Sequence, residues 1–205
     1  MPRLALIKLM TKKIISIENL RPTQLTLGLE DVKKRALKMA HLDTEDLNKL
    51  LARKSIPHVV GPDNEIYIVD HHHLCRALWS IGQKNAVLGK ELADWSDMEI
   101  KDFWKRMDKH GYCWAIDSDG HRRPYSAIPK HVSELTDNVW RSLARAVRGH
   151  AFSNEDTPFQ EFIWGDYFRT FMSQRLLEQD FELAKRVATS VAHLPEAEDL
   201  PGYKL

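Results

Sequence analysis

The sequence predicts an α+β chain: a small α/β domain over residues 13–130, then an all-helical extension over residues 131–205 packed on it. Three observations carry this expectation. Up to about residue 130, β-branched runs such as IISI, IPHVV and IYIV alternate with amphipathic helical patterns. Two of those runs flank a Gly-Pro-Asp-Asn turn and read as a hairpin. Beyond residue 131 the texture is helices only.

Taken in order, KIISIE (13–18) reads as a strand, and LRPTQLTLG is a loop punctuated by Pro22 and Gly28. LEDVKKRALKMA places Leu29, Val32, Ala36 and Met39 at helical spacing. A second helix starts near Asp43 or Thr44, either of which can cap it. IPHVVGPDNEIYIVD is the hairpin, and a helix from near His71 runs to about Gly82, a C-terminal stop. NAVLGKELAD reads as a strand, and SDMEIKDFWKRMDKHG as a helix capped by Ser96 and stopped by Gly111. YCWAIDSDGHRRPYSAIP is a short strand, a turn and a loop. In the extension, ELTDNVWRSLARAVRG is one helix and TPFQEFIWGDYFRTFMSQRLL is another, opened by Thr157 and Pro158. FELAKRVATSVAHL is a third, stopped by Pro195.

Composition narrows the function classes. The chain has 205 residues with 30 basic and 29 acidic side chains, so no global field draws it to nucleic acid or membrane, and any electrostatic site is local. Two distant cysteines, Cys75 and Cys113, give no disulfide framework or zinc knuckle and suggest a reducing compartment. The opening MPRLALIKLMTKK lacks a signal-peptide h-region, and no apolar run approaches a membrane span. The expected compartment is the cytoplasm, with no membrane partner.

The strand-to-helix junction IYIVDHHHLCRAL (Ile66–Leu78) concentrates chemistry. Successive helical residues lie about 100° apart, so His71, His72 and His73 cannot converge on one metal ion. On a helical wheel Leu74, Cys75, Leu78 and Trp79 form the apolar arc with His71, while His72, His73, Arg76 and Ser80 share the polar face. The first turn of a helix has unpaired N–H groups and a partial positive charge. Imidazoles and a guanidinium added to that end make a phosphate or other anion site. Asp70 is either the N-cap or a carboxylate for a metal or a proton transfer.

Other candidates lie outside the junction. Arg141, Arg145 and Arg148 form one stripe, fit either for a nucleotide or nucleic-acid backbone or for surface salt bridges, beside an apolar arc of Val139, Leu143, Ala146 and Val147. Asp166 falls on the apolar face of its helix with Phe162 and Ile163. A carboxylate there needs a partner or a function, and an arginine or histidine from the α/β domain is the expected partner. Glu161 lies one face over and is a second supporting carboxylate. Glu30 is either a general base or an ordinary acid in a helix's first turn. SDGHRRPYS (Ser118–Ser126) is a basic loop able to contact a phosphate.

With its strand followed by Asp70-His71-His72-His73-Leu74 at a helix start, the chain resembles the ParB/sulfiredoxin superfamily, whose members carry compact motifs such as Asp-Gly-His-His-Arg there. IENLRPTQ (Ile17–Gln24) is similar to the first box of that superfamily. WRSLARAVRG (Trp140–Gly149), DTPFQEFIWGDYFR (Asp156–Arg169) and LPGY (Leu200–Tyr203) resemble its ParB-like nuclease branch, so the likeness covers roughly residues 14–203. The resemblance implies a ParB/sulfiredoxin-like fold over 13–130 and nucleotide phosphates at the motif helix. It also implies hydrolysis, phosphoryl transfer or clamp switching. Carried over, Asp70, His72 and His73 stand where phosphate and metal contacts fall, with Asp70 the metal position. His71 replaces the family glycine and Leu74 the family arginine, for which Arg76 is a substitute from the next turn. The sulfiredoxin nucleophile aligns with His72 rather than Cys75, so that activity is not expected, and no ParB helix-turn-helix is recognisable.

The expected function is therefore metal-assisted phosphoryl hydrolysis, as a nuclease or nucleotidase, with Mg²⁺ or Mn²⁺ as the divalent cation and a nucleotide or nucleic acid as partner. Asp70, His72, His73 and Glu30 are the catalytic candidates. His71, Arg76, Arg141, Arg145 and Gln24 are the phosphate-binding ones, with Asp166 and Glu161 in support. A nucleotide-dependent small-molecule kinase and a non-catalytic binding module are the alternatives.

Overall fold

The computed structural model describes residues 13–205. The stretch before Lys13, read above as lacking a signal peptide, lies outside the described residues. Strand β1 (Ile14–Ser16) leads through a short turn to β2 (Leu20–Arg21) and β3 (Thr26–Leu27). Helix α1 (Leu29–Ala40) and α2 (Thr44–Arg53) follow, the second capped by Asp43, whose carboxylate accepts the Asp46 N–H at 2.8 Å. The hairpin is β4 (Ile56–Val60) and β5 (Ile66–Ile68); Asp63 and Asn64 in its turn take positive φ, as short polar residues tolerate. Then come α3 (His72–Ser80), β6 (Asn85–Asp94), α4 (Ile100–Lys109) and β7 (Thr136–Asp137). The chain ends in α5 (Val139–Val147), α6 (Gln160–Phe168), α7 (Gln174–Gln179) and α8 (Phe181–Val191).

The sheet has the order β1-β6-β4-β5-β2, with β6 parallel to β4 and β2 parallel to β5. Alternation along its strands sorts side chains to two faces. Ile56 and Ile68 join Val32, Leu74, Cys75 and Leu78 beneath α1 and α3, while Val59 and Tyr67 pack with Phe103 and Met107 of α4 on the other face. A separate core gathers Trp140, Leu143, Trp164, Phe168 and Ala188 among α5, α6 and α8. The parallel pair β3–β7 joins the two parts, and Asp137 accepts the Leu29 N–H at 2.8 Å to start α1.

Several local expectations are corrected. β7 interrupts the stretch read as helices only, and α5 starts at Val139 because Asn138 accepts the Arg141 N–H at 2.9 Å. Ser96 does not cap α4; its N–H and hydroxyl are spent on Asp94, and Glu99 takes the cap position. The long helix opened by Thr157 is two helices. α6 begins after Phe159, and it ends where the Thr170 hydroxyl donates to Tyr167 O at 2.8 Å, a local bond that competes with the helical ladder. On α3, Trp79 is exposed and His72 is buried, the reverse of the wheel. On α5, Trp140 and Ala144 are buried and Ala146 is exposed.

Candidate active site

Strand β5 ends at Ile68, and the chain turns into α3 through His71, which adopts the left-handed conformation (φ 68°, ψ 18°). The resemblance described above expects glycine at this position, and a side chain there costs about 1–2 kcal/mol of backbone strain. The His71 side chain does not cap the helix. It turns to Asp70, whose Oδ1 accepts the His71 N–H at 2.5 Å and whose Oδ2 lies 3.0 Å from His71 Nδ1. Loss of hydration in the wall of the site would raise the Asp70 pKa, but hydrogen bonding and electrostatic attraction to His71 win and hold it at about 2. The carboxylate is therefore ionised at neutral pH, at the start of a helix without a side-chain cap.

The next two histidines reach back to the first-box loop. The Thr23 N–H donates to His72 Nε2 at 3.0 Å, and the Gly28 N–H donates to His73 Nε2 at 3.1 Å. A ring nitrogen that accepts an N–H is unprotonated, so in each neutral ring the proton sits on Nδ1. Burial lowers the His72 pKa to about 4 against the pull of Asp70. Burial, then the charges of Arg141 and Arg35, press the His73 pKa well below its ordinary value. The Thr23 hydroxyl donates to Ile68 O at 2.7 Å, closing the loop onto β5.

The arginines of α5 stand over this loop. Gly28 is packed so closely that a side-chain carbon there would lie 3.3 Å from Arg141 Cδ. Arg141 is buried, with its Nη1 2.5 Å from Asp31 Oδ2, and Arg145 Nε lies 3.7 Å from the same oxygen. Arg148 pairs with Glu161 at 2.8 Å, and burial lowers the Arg148 pKa.

These groups line one cleft of about 790 Å³. Of the residues singled out from sequence, Gln24, Asp70, His71, His72, His73, Arg141, Arg145 and Glu161 lie on it. Glu30, Arg76 and Asp166 do not. Glu30 is exposed and pairs with Lys33 at 2.8 Å. Arg76 donates to Ser80 at 2.9 Å and lies over the Trp79 ring. Asp166 pairs at 2.8 Å with Arg169 of its own segment, not with a group from the α/β part, and burial raises its pKa. The cysteines are free and buried, and burial pushes the Cys113 thiol up to about 12 and the Cys75 thiol higher still.

Sequence reasoning missed Arg35, Lys54, Tyr112, Glu155, Asp156 and Phe159, which also line the cleft. The loop carrying the last three is pinned by Gln160, which donates to Ser153 O and Pro201 O at 2.8 and 2.9 Å. Trp164 donates to the same Pro201 carbonyl, and Gly202 takes φ 76° in a place where a side-chain carbon would meet Ser153 O. This gives LPGY a physical role: the tail ties down one lip of the cleft. Among the described residues, three potential metal ligands come together at Asp117, Asp119 and His121, away from the cleft. There the Asp117 carboxylate accepts the Asp119 and His121 N–H groups at 2.9 Å and the Arg123 Nε–H at 2.5 Å, which braces a turn. No helix among the described residues is long and apolar enough to cross a membrane.

The family model described as "Putative ParB-like nuclease" matches residues 13–170. The chain belongs to this family. It is also similar, at 33% identity and a TM-score of 0.86, to the crystal structure of protein Atu1540 from Agrobacterium tumefaciens, over 94% of this chain and 95% of that one. No curated protein matches it. The family match spans β1 through α6, so it includes both the motif helix and the arginines of α5 that close the cleft over it.

Proposed function

We propose that this ParB-like chain binds the phosphate of a nucleotide or nucleic acid in the cleft and directs metal-assisted phosphoryl hydrolysis there. The supporting observation is the convergence of Arg35, Arg141, Arg145 and Arg148 on the uncapped start of α3, with Asp70 ionised beside it. Helix N–H groups and guanidinium forks both suit phosphate oxygens. Arg35, which is exposed, and Arg145, which is half-buried, are the binding groups. Arg141, held by Asp31, fixes the wall behind them.

No group of three ligands includes Asp70 among the described residues. A single carboxylate does fit Mg²⁺ or Mn²⁺, which keep waters and take phosphate oxygens as further ligands. Such an ion, when bound, supplies polarisation of the phosphoryl group and acidification of a water. Asp70 is the residue that would hold it. His72 and His73 keep the first-box loop seated against α3, and their neutrality leaves the arginines as the cationic groups facing the substrate.

The test is incubation of the purified protein with nucleoside triphosphates and with single- and double-stranded DNA, in Mg²⁺, Mn²⁺ or EDTA. Metal-dependent product that falls at least about a hundredfold in Asp70→Asn, and shows a raised KM in Arg145→Ala, is the expected result. Binding without turnover in every condition would favour a second reading, a non-catalytic nucleotide-binding module. One observation supports that reading: the Nε2 atoms of His72 and His73 are both occupied by backbone N–H groups. Product formed solely when a small-molecule hydroxyl is supplied would point instead to a kinase.

A further inference from the structure

Resting on the phosphate reading above, we propose that the cleft takes an unpaired nucleobase against Phe159, beside its arginines. The ligand is then a nucleotide, presented either free or within a single strand. A short chain of contacts links the aromatic ring to the histidines and the arginines. Trp114, whose ring packs on Phe159, donates its backbone N–H to Thr23 O at 2.8 Å. Thr23 is bonded to His72, His73 comes next, and His73 feels the charges of Arg141, Arg35 and Arg145. The same wall closes on the arginines, because Glu161, two residues beyond Phe159, pairs with Arg148 at 2.8 Å, so an aromatic ring and guanidinium groups stand side by side for a nucleotide's base and phosphate.

Phe159 itself is unusual. It sits at φ 60°, ψ 23°, a left-handed conformation that a bulky side chain adopts where its surroundings impose it. Its ring is tilted 31° from Trp114 at 5.2 Å and meets Phe162 at 6.1 Å. It is half-buried and lines the cleft, as does Tyr112. The left-handed backbone therefore presents an aromatic ring to a cavity of about 790 Å³, far more space than a phosphate fills. Stacking on such a ring is indifferent to base identity, because every base has a π-face. It does require that the face be free, which excludes a base inside a duplex.

The experiment compares the affinities of adenosine 5′-monophosphate and ribose 5-phosphate for the wild-type chain and for Phe159→Gly. Glycine accepts the left-handed backbone at no steric cost and removes the ring. Phe159→Asn, which also tolerates that conformation, serves as the second variant. The wild type is expected to prefer the nucleotide by about tenfold or more. In both variants the preference should fall to near one while ribose 5-phosphate still binds. A preference that is absent in the wild type, or that survives in both variants, overturns the base site and leaves the phosphate reading standing. Failure of the wild type to bind ribose 5-phosphate overturns the phosphate reading, and the base site with it. Binding of a short single strand but not its duplex supports the strand as the source, whereas binding of the mononucleotide alone supports the free nucleotide. Equal binding of the duplex contradicts the proposal.

Discussion

The Gly28 backbone N–H donates to His73 Nε2 at 3.1 Å, across 45 residues of sequence. That bond, with its neighbour from Thr23 to His72, fastens the first-box loop to the start of the motif helix. His72 and His73 thus hold the architecture of the site.

Replacing either histidine with alanine leaves a buried N–H unpaired, which costs about 1–3 kcal/mol. Denaturant unfolding of His72→Ala and His73→Ala should show losses of that size. A change below about 0.5 kcal/mol would contradict the positioning role.

The same burial makes stability depend on pH. The His72 pKa is about 4 in the folded chain, below its ordinary 6.5, so between those values the unfolded chain binds more protons. Stability therefore falls as pH drops from 6.5 towards 4, by on the order of 3 kcal/mol for His72. His73 acts in the same direction. For Asp70, whose folded pKa of about 2 lies below the ordinary 3.8, the stabilisation is present above that ordinary value and is lost as pH falls towards 2. His72→Gln keeps an acceptor and cannot titrate, so its unfolding free energy should fall less steeply over the upper window, with the slope from His73 remaining.

Two adjacent carboxylates should behave differently. Asp31 neutralises the buried Arg141, and Asp31→Asn leaves that charge with Glu161 alone, at 3.8 Å, for an expected loss of about 3 kcal/mol. Glu30, exposed with Lys33, should tolerate Glu30→Gln within about 0.5 kcal/mol. Thermal unfolding of both variants makes the comparison, and equal effects would contradict the burial assigned to the Arg141 pair.

The wall of the cleft depends on how closely α5 and α6 approach. At Gly165 a side-chain carbon would lie 2.9 Å from the Trp140 carbonyl carbon, backbone that cannot step aside. Gly165→Ala should cost about 1–3 kcal/mol by overpacking, measured as a lower denaturant midpoint. A neutral substitution would show that the two helices separate easily.

Local chemistry explains what was legible in the sequence. The Gly-Pro-Asp-Asn turn, the Asp43 cap and the shift from period two to helical spacing act over a few residues, and the hairpin, α2 and α3 form where those signals stand. The site depends on pairings that no spacing encodes. Asp31 finds Arg141 across 110 residues, and Arg35 and Glu155 meet in one cleft from distant segments. Phe159 is harder still, since no glycine or asparagine marks its left-handed backbone. The helical wheel failed for His72 because Thr23 supplies a buried partner that lets a polar ring face inward.

The most direct test of phosphate binding at the motif helix is an NMR titration of backbone amides with a nucleoside monophosphate. The largest shifts are expected at the N–H groups of His72, His73 and Leu74, which open the uncapped first turn of α3, and Arg145→Ala should weaken the response. Shifts centred elsewhere, such as the turn from Asp117 to His121, with α3 unmoved, would contradict a phosphate site at this helix start.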